Sequence, residues 1–296
     1  MFETIVVPLD GSALAEGAIA TAVDVCRRMR SKLVLLRVHK PPETAITRAY
    51  EWDRETRRRE QEYLETLVGR LRERFDAEAE SAVLDGHAAD AIADAAEARP
   101  TALIVMTSHG RTGFNRAWIG SVADAIVRRA STPVLLVRGA KGDRIAAETT
   151  HPNRIVVPLD GNTAAREILP SASAMATALD ATLELVRVVT PSDVPDVPPD
   201  LADDAAGAAL STAEDELRSA AAQVARTAPA LAVKTQALSG ESAAEAIIGL
   251  ARPSARSMVA MTTRSHGLKR LVLGSVADKI IRGGPRFVLL LQPGDQ

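Results

Sequence analysis

The segment richest in chemistry is Thr107-Ser108-His109-Gly110-Arg111-Thr112-Gly113, followed after six residues by Gly120-Ser121-Val122. Glycines let backbone amides come close to an anion. A helix opening at Ser121 would add free N–H groups and the positive end of its dipole, and the Ser121 hydroxyl is a further donor. These are the parts of a phosphate cradle. They are also the parts of a plain turn, and the residues alone leave both readings open. The loop is not a P-loop, because no Gly-Lys-Ser/Thr follows. A second group, Pro8-Leu9-Asp10-Gly11-Ser12, joins a carboxylate to turn chemistry, with Ser12 a candidate helix N-cap.

Other chemistry is thin. The five histidines, His39, His87, His109, His151 and His266, have no metal-ligand spacing. Ser12 and Ser121 lack the partners of a nucleophile, so no catalytic residue is assigned and the chain is read as not an enzyme. Arg57-Arg58-Arg59 stands among Glu55, Glu60 and Glu62, the pattern of a solvated helix face. Residues 1–150 carry 22 basic and 22 acidic side chains and residues 151–296 carry 14 and 16, so neither half has the positive excess of a nucleic-acid binder. The single cysteine, Cys26, allows no intramolecular disulfide and is read as a buried thiol; this fits a cytoplasmic setting. No signal peptide and no membrane-spanning run are visible. Trp118 is read as packing under the loop.

The elements that must hold these residues recur. Ile5-Val6-Val7-Pro8-Leu9-Asp10-Gly11 returns as Ile155-Val156-Val157-Pro158-Leu159-Asp160-Gly161, and Gly120-Ser121-Val122-Ala123-Asp124 returns as Gly274-Ser275-Val276-Ala277-Asp278. The chain is therefore a tandem duplication: domain 1 over 1–139, a polar linker over 140–153, and domain 2 over 154–296. In the first half, strands are expected at 4–9, 32–38, 82–85, 103–106 and 133–137. Helices are expected at 14–30, 45–75, 88–98 and 121–130. The second half repeats the plan, with a Pro- and Asp-rich stretch, 190–207, read as a surface loop. Strand–helix alternation at this spacing gives an α/β fold: two tandem doubly wound domains, each with a five-stranded parallel sheet. Ligands of such sheets bind beyond the C-terminal strand ends, where Asp10–Ser12, Val38–His39 and Thr107–Ser121 lie.

Pro8-Leu9-Asp10-Gly11-Ser12, the strand end Arg37-Val38 and the loop Thr107-x2-Gly110-x9-Gly120-Ser121 resemble, in the same order, the motifs of the universal stress protein family; the duplication marks a tandem member. The resemblance implies a Rossmann-like domain of the adenine nucleotide alpha hydrolase-like kind. It also implies an adenine nucleotide as partner: ATP, with Mg2+ on its phosphates. It places Asp10, Gly11 and Val38 at the nucleoside. Gly110, Gly113, Gly120, Ser121 and Val122 would line the phosphates, with Pro8, Leu9, Ser12, Ser108, His109 and Arg111 beside them. Thr107 stands where the family has the first loop glycine. The implied role is nucleotide-dependent regulation of stress physiology; the alternative is a non-binding structural or partner-recognition protein. The two domains would pair pseudo-symmetrically through their last strands, with a further homodimer left open.

The second half keeps Asp160, Gly161, Val188, Gly274, Ser275 and Val276, but its loop departs. Gly274 follows Met261 by 13 residues, where Gly120 follows Met106 by 14. Gly267 matches Gly113, the counterpart of Gly110 is gone, and Arg264 occupies the region. ATP is therefore expected mainly in the first domain.

Overall fold

The computed structural model describes residues 2–41, 47–108, 119–138, 151–263 and 273–294. The chain divides into two compact units, Met1–Thr149 and Thr150–Gln296. Most of the expected linker, and the loop residues His109, Gly110, Arg111, Gly113, Trp118, Arg264 and Gly267, lie outside the described residues.

In the first unit the strands are β1 (Thr4–Pro8), β2 (Lys32–His39), β3 (Ala79–Asp85), β4 (Ala102–Thr107) and β5 (Val134–Val137). They pair in parallel in the order β3-β2-β1-β4-β5. The helices are α1 (Ala13–Glu16), α2 (Ile19–Met29), α3 (Thr47–Phe75), α4 (Ala88–Glu97) and α5 (Ser121–Arg129). All five residues of β1 and all six of β4 are buried, which is why both read as unbroken apolar runs rather than alternating ones. The order reverses between β1 and β4, so a crevice opens there at the C-terminal strand ends.

Several expectations need correction. The helix expected at 14–30 is two helices: Gly17 donates to the Leu14 carbonyl at 3.0 Å, a tight turn that re-aims the chain before Ile19. β2 runs one residue further than expected, to His39, and β3 starts at Ala79, its edge position leaving Glu80 and Asp85 exposed. Cys26 is only partly buried; its thiol donates to the Ser31 carbonyl at 2.8 Å, and burial pushes its pKa up against the pull of Arg27.

The outer face of α3 is solvated as expected at Arg58, which binds Glu55 and Glu62, and at Arg59, which binds Glu55; Glu60 departs from the expectation, turned inward to Arg37 and His39. The inner face of the helix buries Leu64, Leu67 and Leu71. This is amphipathic helix packing with surface ion pairs contributing little beyond solubility.

The second unit has β6 (Arg154–Pro158), β7 (Thr182–Val189), β8 (Val233–Ser239), β9 (Ser257–Thr262) and β10 (Phe287–Leu291), ordered β10-β9-β6-β7-β8. Its helices are α6 (Thr163–Arg166), α7 (Leu169–Leu179), α8 (Ala202–Thr227), α9 (Ala243–Ala251) and α10 (Ser275–Gly283). The stretch 190–207 is not simply a loop. It holds two single-turn 3-10 helices, and α8 begins at Ala202 with Asp203 and Asp204 complementing its dipole in the first turn. Among the described residues, no helix is long and apolar enough to cross a membrane.

Candidate functional site

In the first unit a cavity of about 460 Å3 opens at the C-terminal ends of β1, β2 and β4. That volume falls inside the roughly 300–1,000 Å3 typical of small-molecule sites. Pro8, Leu9, Asp10, Val38, Thr107, Gly120, Ser121 and Val122 all line it. Gly11, Ser12 and Ser108 do not; they shape its edges.

The turn after β1 is built around Asp10. Its Oδ1 accepts the Ser12 N–H at 2.9 Å and the Ser12 hydroxyl, while Ser12 Oγ accepts the Ala15 N–H at 3.1 Å and caps α1. Gly11 holds φ +80°, a left-handed conformation that glycine adopts without strain. The carboxylate is thereby fixed at the mouth of the crevice.

At the opposite side the N-terminus of α5 faces the cavity. Gly120 donates to the Ser108 carbonyl at 2.7 Å, tying the helix start to the end of β4. No side chain caps α5, so the first-turn amides have no intrahelical partner and are open to an anion. Gly120 has φ −62°, so the backbone does not demand glycine there. Thr107 needs no positive φ either. It is the last residue of β4, paired with Val137 and buried, so its β-branched side chain suits its place.

The second unit repeats the frame on a smaller scale. Asp160, Val188, Gly274, Ser275 and Val276 line a cavity of about 120 Å3, and Gly161 again has positive φ, +85°. Gly274 donates to the Thr263 carbonyl at 2.9 Å, as Gly120 does to Ser108.

The Universal stress protein family model matches residues 1–138 and again 152–292. The chain belongs to the universal stress protein family. A universal stress protein of Methanocaldococcus jannaschii is 28% identical over 144 residues, 48% of this chain and 85% of that relative. A universal stress protein structure from Archaeoglobus fulgidus covers 99% of both chains at 18% identity with a TM-score of 0.70. A putative universal stress protein structure from Pseudomonas aeruginosa covers 99% of this chain and 94% of that one at 17% identity, TM-score 0.63. The likeness establishes two tandem universal stress protein domains and their Rossmann-like fold.

Sequence reading missed the outer wall of the first cavity. His39 is placed by the sequence at a ligand-binding strand end but given no role there, yet it is 2% exposed and faces the space. Its Nδ1 lies 2.8 Å from Glu60 Oε2 and its Nε2 2.8 Å from Asp53 Oδ1. Arg37 Nε stands 3.0 Å from Glu60 Oε1. Both ring nitrogens face carboxylates, which only accept, so the imidazolium satisfies the cluster and the neutral ring cannot. Burial pulls the His39 pKa down, and the bonds to Asp53 and Glu60 outweigh it, leaving a net rise. A raised folded-state pKa means stability gained below the unfolded value of about 6.5 and lost as pH climbs through the folded value. Wild type should therefore exceed His39→Asn in stability by more at pH 5.5 than at pH 8.5. Urea unfolding at the two pH values checks this, and an equal difference at both would refute the charged form.

Proposed function

We propose that this universal stress protein binds ATP in its first unit and acts as a nucleotide-dependent regulator rather than as a catalyst. The observation that carries the reading is the 460 Å3 crevice at the switch point, with a fixed carboxylate at one side and the uncapped α5 N-terminus at the other. A nucleotide has matching ends: a nucleoside whose hydroxyls and amines donate to Asp10, and phosphates that accept from the Gly120–Val122 amides and the Ser121 hydroxyl. Val38 adds an apolar edge. Mg2+ would ride on the phosphate oxygens and water, as it commonly does, and asks for no cage of side chains. The Asp10 Oδ1 is committed to Ser12, which suits anchoring better than proton transfer.

Asp160, Gly161, Val188, Gly274, Ser275 and Val276 form the same frame in the second unit, around a cavity too small for a nucleotide by the same measure. That difference favours the first unit as the main ATP site.

Native mass spectrometry of the purified full chain tests the reading. One ATP mass, retained or taken up from added Mg-ATP, is the expected result. A chain that retains no nucleotide and takes none up would place it with the non-binding, partner-recognition alternative.

A further inference from the structure

The two units share their turn and their helix N-terminus, but not the ground between. In the first, one cavity runs from Asp10 outward past Arg37 and His39 to Trp52, Thr56 and Glu60 on α3. In the second the same ground is split. The inner cavity, about 120 Å3, lies against Asp160 and Gly274. An outer one, about 300 Å3, lies against Val189, Ala205, Ala209 and Ala213. The long helices are in register, since Leu64 and Leu217 are buried counterparts, and the same 153-residue offset takes Trp52 to Ala205, Thr56 to Ala209 and Glu60 to Ala213. The outer cavity is therefore the counterpart of the outer half of the first. Arg187 lines both pieces and Glu216 lines the outer one, so these two side chains stand at the division.

At that offset Glu216 replaces Tyr63. Tyr63 lies under Arg37, the guanidinium carbon 5.6 Å from the ring centroid, and donates its hydroxyl to Glu16 Oε1 at 3.1 Å. Glu216 puts Oε2 3.5 Å from Arg187 Nε, while Arg187 Nη2 donates to Asp193 Oδ1 at 3.0 Å. Arg166, at the position of Glu16, donates to the Glu216 carbonyl at 3.2 Å and holds this turn of α8 in place. The Glu216 carboxylate hangs over the β6 turn: a Cβ on Gly161 would come within 3.0 Å of both its oxygens. Asp160 meanwhile accepts from the Asn162 N–H on one oxygen and the Asn162 side-chain amide on the other, each at 3.0 Å.

We propose that Arg187 and Glu216 form a partition that closes the second unit to the ligand of the first, making Tyr63 and Glu216 the specificity-determining pair of the duplicated chain. The proposal rests on the nucleotide reading of the first unit. A ligand entering the second unit meets the Glu216 side chain over the turn, where in the first unit the cavity runs unbroken to its own wall carboxylate, Glu60. Arg187, the cation among the described residues that line the two pieces, is already held by Asp193 and Glu216. A ligand that spans both pieces must displace that ion pair. In the first unit the phenol at this position is turned to Glu16 and the cavity stays continuous.

The test is native mass spectrometry of the full chain in Mg-ATP, comparing wild type with Glu216→Tyr and Glu216→Ala. Alanine is the best helix former and removes the carboxylate outright, so it carries the test if the tyrosine does not fit. Expected are one ATP on wild type and two on each variant, with uptake by the second unit rising at least about tenfold. One ATP on all three chains, or two on wild type, overturns the partition and leaves the first site standing. None on wild type but one on the variants removes the first-unit reading and keeps the partition. None on any chain overturns both.

Discussion

Asp10→Ala is expected to weaken ATP binding by roughly 10- to 150-fold, the equivalent of about 1.5–3 kcal/mol for a hydrogen bond to a charged group. Asp10 lines the cavity, where the proposed nucleoside would meet it, and is held there by the Ser12 N–H. The substitution removes both the ligand's acceptor and the anchor of the turn. Asp10→Asn separates the two, because an amide oxygen still accepts from Ser12 while the charge is gone. Titration calorimetry on the three chains should rank them wild type, Asn, Ala. Wild-type affinity in Asp10→Ala would show that the crevice does not hold a nucleoside at this carboxylate.

Ile5→Ala is expected to cost the first unit about 2–5 kcal/mol, and Ile5→Val about 0.5–1.5 kcal/mol. Ile5 is fully buried in β1, the central strand, between Leu33 of β2 and Leu103 of β4. A typical domain has only about 5–15 kcal/mol in hand, so the alanine variant should lie near the edge of folding. Urea unfolding without nucleotide measures both; equal losses for the two variants would mean that the strand relaxes to fill the space.

Much of this was legible because it is local or repeated. The apolar runs of β1, β4, β6 and β9 signal strands covered on both faces, and the second copy of Ile-Val-Val-Pro-Leu-Asp-Gly places the turn twice. The stretch 190–207 was misread because proline and aspartate suggest loop by composition, whereas in α8 the aspartates serve the first turn. The His39 cluster was out of reach for a different reason. Asp53 and Glu60 lie 14 and 21 residues beyond His39, and on a long charged helix they look like any other solvated carboxylate. Only the packing of α3 against β2 singles them out. Glu216 was hidden in the same way, on an alanine-rich helix whose register against β7 no periodicity reveals.

The pairing of β1 has a consequence during synthesis. One neighbour, β2, aligns Lys32 with Thr4, but the other, β4, aligns Ala102 with it. At a translation rate of about 5–20 residues per second, β1 emerges roughly 5–20 s before the strand that covers its second edge. Through that interval an apolar ribbon carries an unpaired hydrogen-bonding edge, which is the feature that recruits foreign strands. A later stretch of the same chain, β6, then presents the near-identical run Ile155-Val156-Val157-Pro158. Duplication thus gives this protein a hazard that a single copy lacks: each half carries a close imitation of the other's central strand, so folding the first half before the second emerges is the arrangement that avoids exchange.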